Sequence, residues 1–187
     1  MASKGEKTRS ELITCARNLF YRQGYDGTSF THIVEASGLL RGNIYHYFKS
    51  KDEILEAVIN QRAQDIRSLL GYWSEHYATP KERLLVFVAM VAGTKELMEY
   101  GCPIGSLNIE LGKDRRELQQ SARVLFDLFR EWLAVQFKAL GYATNAEAMA
   151  THILGRAQGI AVMAQVYHDA DLLKNETQFL REWVQQL

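Results

Sequence analysis

Four Ser or Thr residues stand three positions ahead of a Glu where an apolar pattern begins: Thr8 before Glu11, Ser50 before Glu53, Thr79 before Glu82 and Thr144 before Glu147. At a helix start such a hydroxyl accepts from an orphan backbone N–H and the carboxylate bonds back, so each pair predicts an N-terminus. Pro80 follows Thr79 at the first helical position, where its missing N–H costs nothing. Gly24 and Gly141 close apolar patterns and suit the left-handed conformation that ends a helix. No run alternates apolar and polar residues with the two-residue period of a strand. The chain is therefore expected to be all-α, with helices over about 9–23, 29–36, 41–47, 51–76, 80–99, a short piece near 106–111, then 115–140, 145–168 and 172–186.

The first three helices are short and separated by tight turns, whereas those from Ser50 onward are long. That change of scale places a domain boundary near residue 50, giving an N-terminal domain of 1–50 and a larger helical body of 51–187, with helix 51–76 shared between them. At 187 residues, 47% of them apolar, the chain can bury a core in each. Its longest apolar run, residues 84–93, stops well short of the roughly 20 residues a membrane span needs. Residues 1–9 are charged and lack the apolar centre of a secretion signal. Two cysteines, Cys15 and Cys102, are too few for a disulfide scaffold, which fits a reducing cytoplasm and no membrane partner.

Formal neutrality hides an asymmetry. Residues 1–51 carry eight basic and four acidic side chains, net +4, leaving fourteen basic against eighteen acidic, net −4, for the remainder. A basic head on an acidic body points the head towards a polyanion. Within that head, the helices at 29–36 and 41–47 are joined by a turn containing Ser37-Gly38, which makes a helix-turn-helix. A helix of this kind enters the DNA major groove. The outer face of 41–47 presents Arg41, Gly42, Asn43, Tyr45 and His46, where Arg suits guanine, Asn suits adenine and apolar or aromatic surface suits a thymine methyl. The helix start at Thr28 and Ser29, together with Tyr47, Lys49 and Lys51, suits phosphates.

These residues carry a family resemblance. Gly27-Thr28-Ser29, Ile33, Gly38 and Gly42, then Tyr45-His46-Tyr47-Phe48-Lys49-Ser50-Lys51-Asp52-Glu53 and Leu55, resemble the signature of the tetracycline-repressor (TetR/AcrR) family of bacterial regulators. The match is strong over residues 8–55 and rests on helix layout alone beyond residue 60. It implies a three-helix DNA-binding domain, a helical ligand-binding and dimerisation domain, and two-fold symmetric binding to a palindromic operator. By position, Arg41, Gly42, Asn43, Tyr45 and His46 lie in the groove, while Thr28, Tyr47 and Lys51 hold phosphates. One departure is Leu40, where many members of the family place a capping Ser or Thr; such a cap is worth about 0.5–2 kcal/mol.

In the body, residues 84–92 are apolar all round and are expected to be buried on every side. Helix 115–140 places Leu118, Ala122, Leu125, Phe129, Trp132 and Gln136 on one stripe. The stripes alone fit a packed core as well as a cavity; the resemblance implies a cavity for a small, largely apolar effector, with Phe87, Met90, Phe129 and His152 as candidate ligand-binding residues. Helix 145–168 has apolar matter on more than one side, with Met149, Ile153, Arg156, Ile160, Met163 and Tyr167 on one face and Ala148, Gly155, Gly159 and Val162 elsewhere. Paired with Phe179, Leu180, Trp183 and Val184 of helix 172–186, it offers a four-helix homodimer interface.

No hydrolase, zinc-protease, nucleotide or dinucleotide motif is present, and the histidines lack metal-ligand spacing with the cysteines, so neither an enzyme nor a metal or organic cofactor is expected. The stretch Gly101-Cys102-Pro103-Ile104-Gly105 breaks the helical pattern and resembles a junction in a drug-resistance-repressor subgroup, some of whose members use a cysteine near this point to sense electrophiles. The leading expectation is a ligand-responsive repressor. The alternatives are a thiol-sensing repressor using Cys102, and a helical interaction protein that binds a lipophile without DNA.

Overall fold

A computed structural model describes residues 4–39, 41–93 and 95–187, apart from the side chains of Lys4, Arg41 and Asn43. Its elements are α1 (Lys4–Gln23), α2 (Phe30–Ser37), α3 (Arg41–Tyr47), α4 (Lys51–His76), α5 (Pro80–Val91), α6 (Lys95–Tyr100), α7 (Gly105–Asp114), α8 (Arg116–Ala139), α9 (Ala146–Tyr167) and α10 (Ala170–Gln185). No strand occurs among the described residues. The fold is all-α, and no described helix is long and apolar enough to cross a membrane.

One of the expected start signals works as read and a second works in half. Thr79 Oγ1 accepts from the Glu82 N–H and the Glu82 carboxylate accepts from the Thr79 N–H, closing the box ahead of α5. Ser50 Oγ accepts from the Glu53 N–H, but the Glu53 carboxylate reaches one residue further back, to the Lys49 N–H. The other two signals are overturned. Helix α1 already runs at Lys4, so Thr8 lies inside it, and α9 starts after Asn145, with Glu147 paired to Lys138 at 3.6 Å instead of capping. Gly24 and Gly141 adopt the expected left-handed backbone, with φ of 76° and 95°.

The chain divides into two compact units. Unit 1 comprises Met1–Ala63 and Ser106–Arg123, so α7 and the first turns of α8 cluster with the N-terminal helices, whereas the change of helix scale alone placed them with the body. Its core is built from Leu12, Ile13, Ala16 and Phe20 of α1, Ile33 of α2, Ile44 of α3, Phe48, and Ile54, Leu55 and Val58 of α4. These residues recur at three- and four-residue spacing on each helix, the pattern of a one-sided apolar face.

Unit 2 comprises Gln64–Gly105 and Val124–Leu187. In it α10 packs on α5 and α9, and α6 packs on α9. Arg83 caps the end of α4: its guanidinium donates to the Ser74 and Tyr77 carbonyls at 2.7 and 2.9 Å, where unpaired carbonyls need a cationic donor. Two sequence expectations fail here. The helix expected over 80–99 breaks at Gly93, whose φ of 74° ends α5 before α6 begins. Residues 84–92 are not buried all round: Leu84, Phe87, Val88 and Val91 are inside, while Ala89, Met90 and Ala92 are exposed, because α9 and α10 cover only one side of α5. Of the residues expected at a dimer interface on α10, Leu180 and Val184 are buried within their own unit, and helix α9 carries apolar matter on two sides. Ile153 and Ile160 point into their own unit, and Gly155, Gly159, Val162, Met163, Val166 and Tyr167 form the exposed stripe.

Candidate nucleic-acid interface

The helix-turn-helix is assembled from local chemistry. Ser29 caps α2, accepting from the His32 N–H at 3.0 Å, and His32 Nδ1 accepts from the Ser29 N–H at 3.2 Å, so an imidazole takes the place a Glu usually fills in a capping box. Helix α2 ends at Gly38, in the left-handed region at φ 65°, where its N–H reaches the Glu35 carbonyl. Ser37 Oγ donates to the Val34 carbonyl and accepts from the Leu39 N–H, holding the turn. The expected departure at Leu40 lies outside the described residues.

Helix α3 is anchored by Ile44, and Phe48 is buried just beyond its end. Opposite that anchor, Gly42, Tyr45 and His46 face outward, with Tyr45 40% exposed. The Tyr45 ring stacks on Phe30 at 4.8 Å, and His46 meets the half-buried Tyr47 edge-on at 5.2 Å. The base-reading side chains expected at Arg41 and Asn43 are outside the described set, though their backbone belongs to α3. Lys49 donates to the Tyr45 carbonyl at 2.6 Å, a cation at a helix C-terminus, and its side chain stays exposed.

Two of the phosphate candidates have structural duties. Thr28 is fully buried, with its hydroxyl donating to the Gly24 carbonyl at 2.7 Å and its N–H to the Tyr25 carbonyl. The phosphate role expected of Thr28 is therefore corrected, since neither donor faces solvent. Lys51 donates to the Tyr25 carbonyl at 2.8 Å and lies 4.0 Å over the Tyr25 ring. Burial pulls its ammonium below the ordinary lysine range, with Asp26 opposing the shift. Ser29, at the N-terminus of α2, remains partnered to His32 near the surface.

Sequence reasoning missed the hub of this unit, Tyr25. The residue is fully buried, and its hydroxyl donates to the Asp52 carboxylate. Burial, and then Asp52, push the phenol well above the ordinary tyrosine range. Glu110 of α7 accepts from the N–H groups of Tyr25 and Asp26, both at 2.9 Å, and Arg115 pairs with Asp26 at 3.1 Å. No local pattern could reveal a pair separated by 85 positions, although an acidic residue in an otherwise modestly amphipathic α7 was visible. Gly27 is also fixed: a Cβ there would sit 2.3 Å from the Gln23 carbonyl oxygen, so no side chain fits without moving backbone.

The residues expected to bind an effector are divided. Phe87 and Phe129 are buried and meet ring to ring at 5.9 Å. Met90 is exposed, and the exposed His152 lies against Trp183 at 5.4 Å. Cys102 is half-buried in the turn before α7, and Cys15 is half-buried in α1, where burial pushes its thiol up. No His, Cys, Asp and Glu cluster suited to a metal occurs among the described residues.

Comparison with known proteins accounts for both regions of the chain. The profile "Bacterial regulatory proteins, tetR family" matches residues 12–58, and "Transcriptional regulator LmrA/YxaF-like, C-terminal domain" matches residues 80–178. The chain is 28% identical over 181 residues to an HTH-type transcriptional regulator in the lacX 3′ region of Lactococcus lactis subsp. lactis, covering 93% of this chain and 91% of the relative. It is 25% identical over 146 residues to the HTH-type transcriptional regulator LmrA of Bacillus subtilis, covering 76% of each. A TetR-family regulator from Cytophaga hutchinsonii has a similar fold, with a TM-score of 0.85 at 22% identity over 100% of this chain and 98% of that one. The chain thus belongs to the TetR family of bacterial transcriptional regulators, DNA-binding proteins rather than enzymes, with a C-terminal domain of the LmrA/YxaF-like kind.

Proposed function

We propose that this chain is a cytoplasmic homodimeric repressor that binds a palindromic operator through α3 and is released by a small, largely apolar effector held in unit 2. The observation that carries the reading is the division of α3 and the turn after it. Ile44 and Phe48 fix the inner side, and the outer side presents Gly42, Tyr45 and His46 to solvent beside the exposed Lys49. A short helix so anchored, with Gly42 adding no side chain on the outer side, suits major-groove entry with Arg41 and Asn43 as base readers.

A second copy supplies the symmetry. The exposed stripe of α9 joins Gly155 and Gly159, where an added Cβ would meet open space, to Val162, Met163, Val166 and Tyr167, and α10 exposes Phe179. Small residues permit close helix approach and the apolar ones supply area, which supports an isologous interface. Two α3 helices then address successive major grooves about 34–36 Å apart. For control, an effector reaching the region of Phe87 and Phe129 has to separate a pair of packed rings. It weakens DNA binding only as far as it prefers the conformation that binds DNA poorly.

The test is selection of the full-length protein on a random duplex library, repeated with Arg41→Ala. The reading predicts a palindromic winner, with preference at one position in each half-site relaxed in the variant, a loss of about 1–3 kcal/mol against the correct base. A folded dimer that enriches no sequence would instead support the helical interaction protein.

A further inference from the structure

We propose that unit 2 carries a second ligand site, an anion pocket bounded by Ala92 and Gly93, α6 and α10, that takes a small organic carboxylate. The pocket has a volume of about 370 Å³, within the range of small-molecule sites. Three cations, Lys95, Lys174 and Arg181, line it, and no described Asp or Glu does. None of the three has an ion-pair partner among the described residues. Like charges gathered without a counter-ion repel one another, an arrangement that an incoming anion relieves.

A second, independent feature points the same way. Thr177 also lines this pocket, is only 4% exposed, and its hydroxyl has no hydrogen-bond partner among the described residues. A buried hydroxyl without a partner is uncommon because its desolvation goes uncompensated. That hydroxyl is closed to solvent as it stands, so a rotation about the Thr177 Cα–Cβ bond is what brings it to a carboxylate oxygen that accepts from it, while the planar guanidinium of Arg181 matches a carboxylate in a two-point contact. Met98 and Leu173 supply apolar wall, so the occupant carries a short aliphatic or aromatic body and is not a bare inorganic ion.

The site is separate from the surface assigned to dimerisation. At about 100° per residue, Phe179 projects roughly 200° around α10 from Thr177, which leaves the pocket on the other side of that helix. It is also lined by none of Phe87, Met90, Phe129 or His152. The proposal therefore stands whether or not the apolar-effector reading holds.

The test is calorimetric titration of the full chain with benzoate and hexanoate, beside benzamide, hexanol and inorganic phosphate. The proposal predicts that the carboxylates bind with a dissociation constant of about 1 mM or tighter and that the neutral isosteres bind at least ten-fold more weakly. Lys174→Gln, at an exposed position, and Arg181→Gln should each weaken the carboxylate at least about ten-fold. Thr177→Val should also weaken binding while raising the melting temperature of the free protein, since it removes a hydroxyl that has nothing to bond. Equal binding of acid and neutral isostere, tighter binding of phosphate than of benzoate, or titrations unmoved by Lys174→Gln and Arg181→Gln would each overturn it.

Discussion

Tyr25 ties several segments of unit 1 together. Its ring, hydroxyl, amide and carbonyl engage Lys51, Asp52, Glu110 and Thr28 or Lys51 respectively. Tyr25→Phe removes one charge-assisted hydrogen bond and should cost about 1–2 kcal/mol at pH 7, read by urea titration. The pH dependence has a definite sign. Because the folded phenol titrates above its unfolded value, its contribution is complete below about pH 10 and is lost as pH rises past that point. The deficit of the Phe variant should accordingly shrink between pH 7 and pH 11, and a deficit constant across that range would contradict the assignment. Little of this was legible beforehand. Tyr25 read as the residue after a helix-ending glycine, and its partners come from three separate segments.

At the scale of elements, boundaries were readable where local hydrogen bonds set them. The spans of α3 and α4 match their expected limits, and Thr79, Pro80 and Glu82 start α5 as read. The misses share a physical cause, which is that a capping pair is only one of several ways to satisfy a helix end. His32 closes the box at Ser29 in place of Glu, and α9 starts after Asn145 with no side-chain cap bond. Unit membership of α7 was invisible because it rests on long-range bonds. Glu110→Gln keeps one acceptor and turns a donor towards the second N–H, so unit 1 should lose about 1–2 kcal/mol. Amide exchange at Tyr25 and Asp26 should quicken at the same time. Unchanged exchange would show that α7 does not brace the turn after α1.

At the scale of the whole molecule, the proposed function depends on two copies. Val166 is 65% exposed at the apolar end of the α9 stripe. Val166→Glu should place like charges near one another in an isologous interface and weaken the dimer at least about a hundred-fold by sedimentation, with operator binding falling in parallel. A variant that stays dimeric would move the interface elsewhere. The basic head was legible from charge counting, and the outward-facing positions Tyr45 and His46 from register alone. That Thr28 and Lys51 are turned to internal partners was not legible, because both have the chemistry of a phosphate contact. The most direct measurement of the central claim is the affinity of the full chain for its selected duplex and for a scrambled one, at 50 and 200 mM salt. Binding through paired α3 helices and 6–10 phosphates predicts a fall of about 10³–10⁵ in affinity between the two salts, with the selected duplex preferred throughout. Affinity that ignores salt, or that is equal for both duplexes, would contradict it.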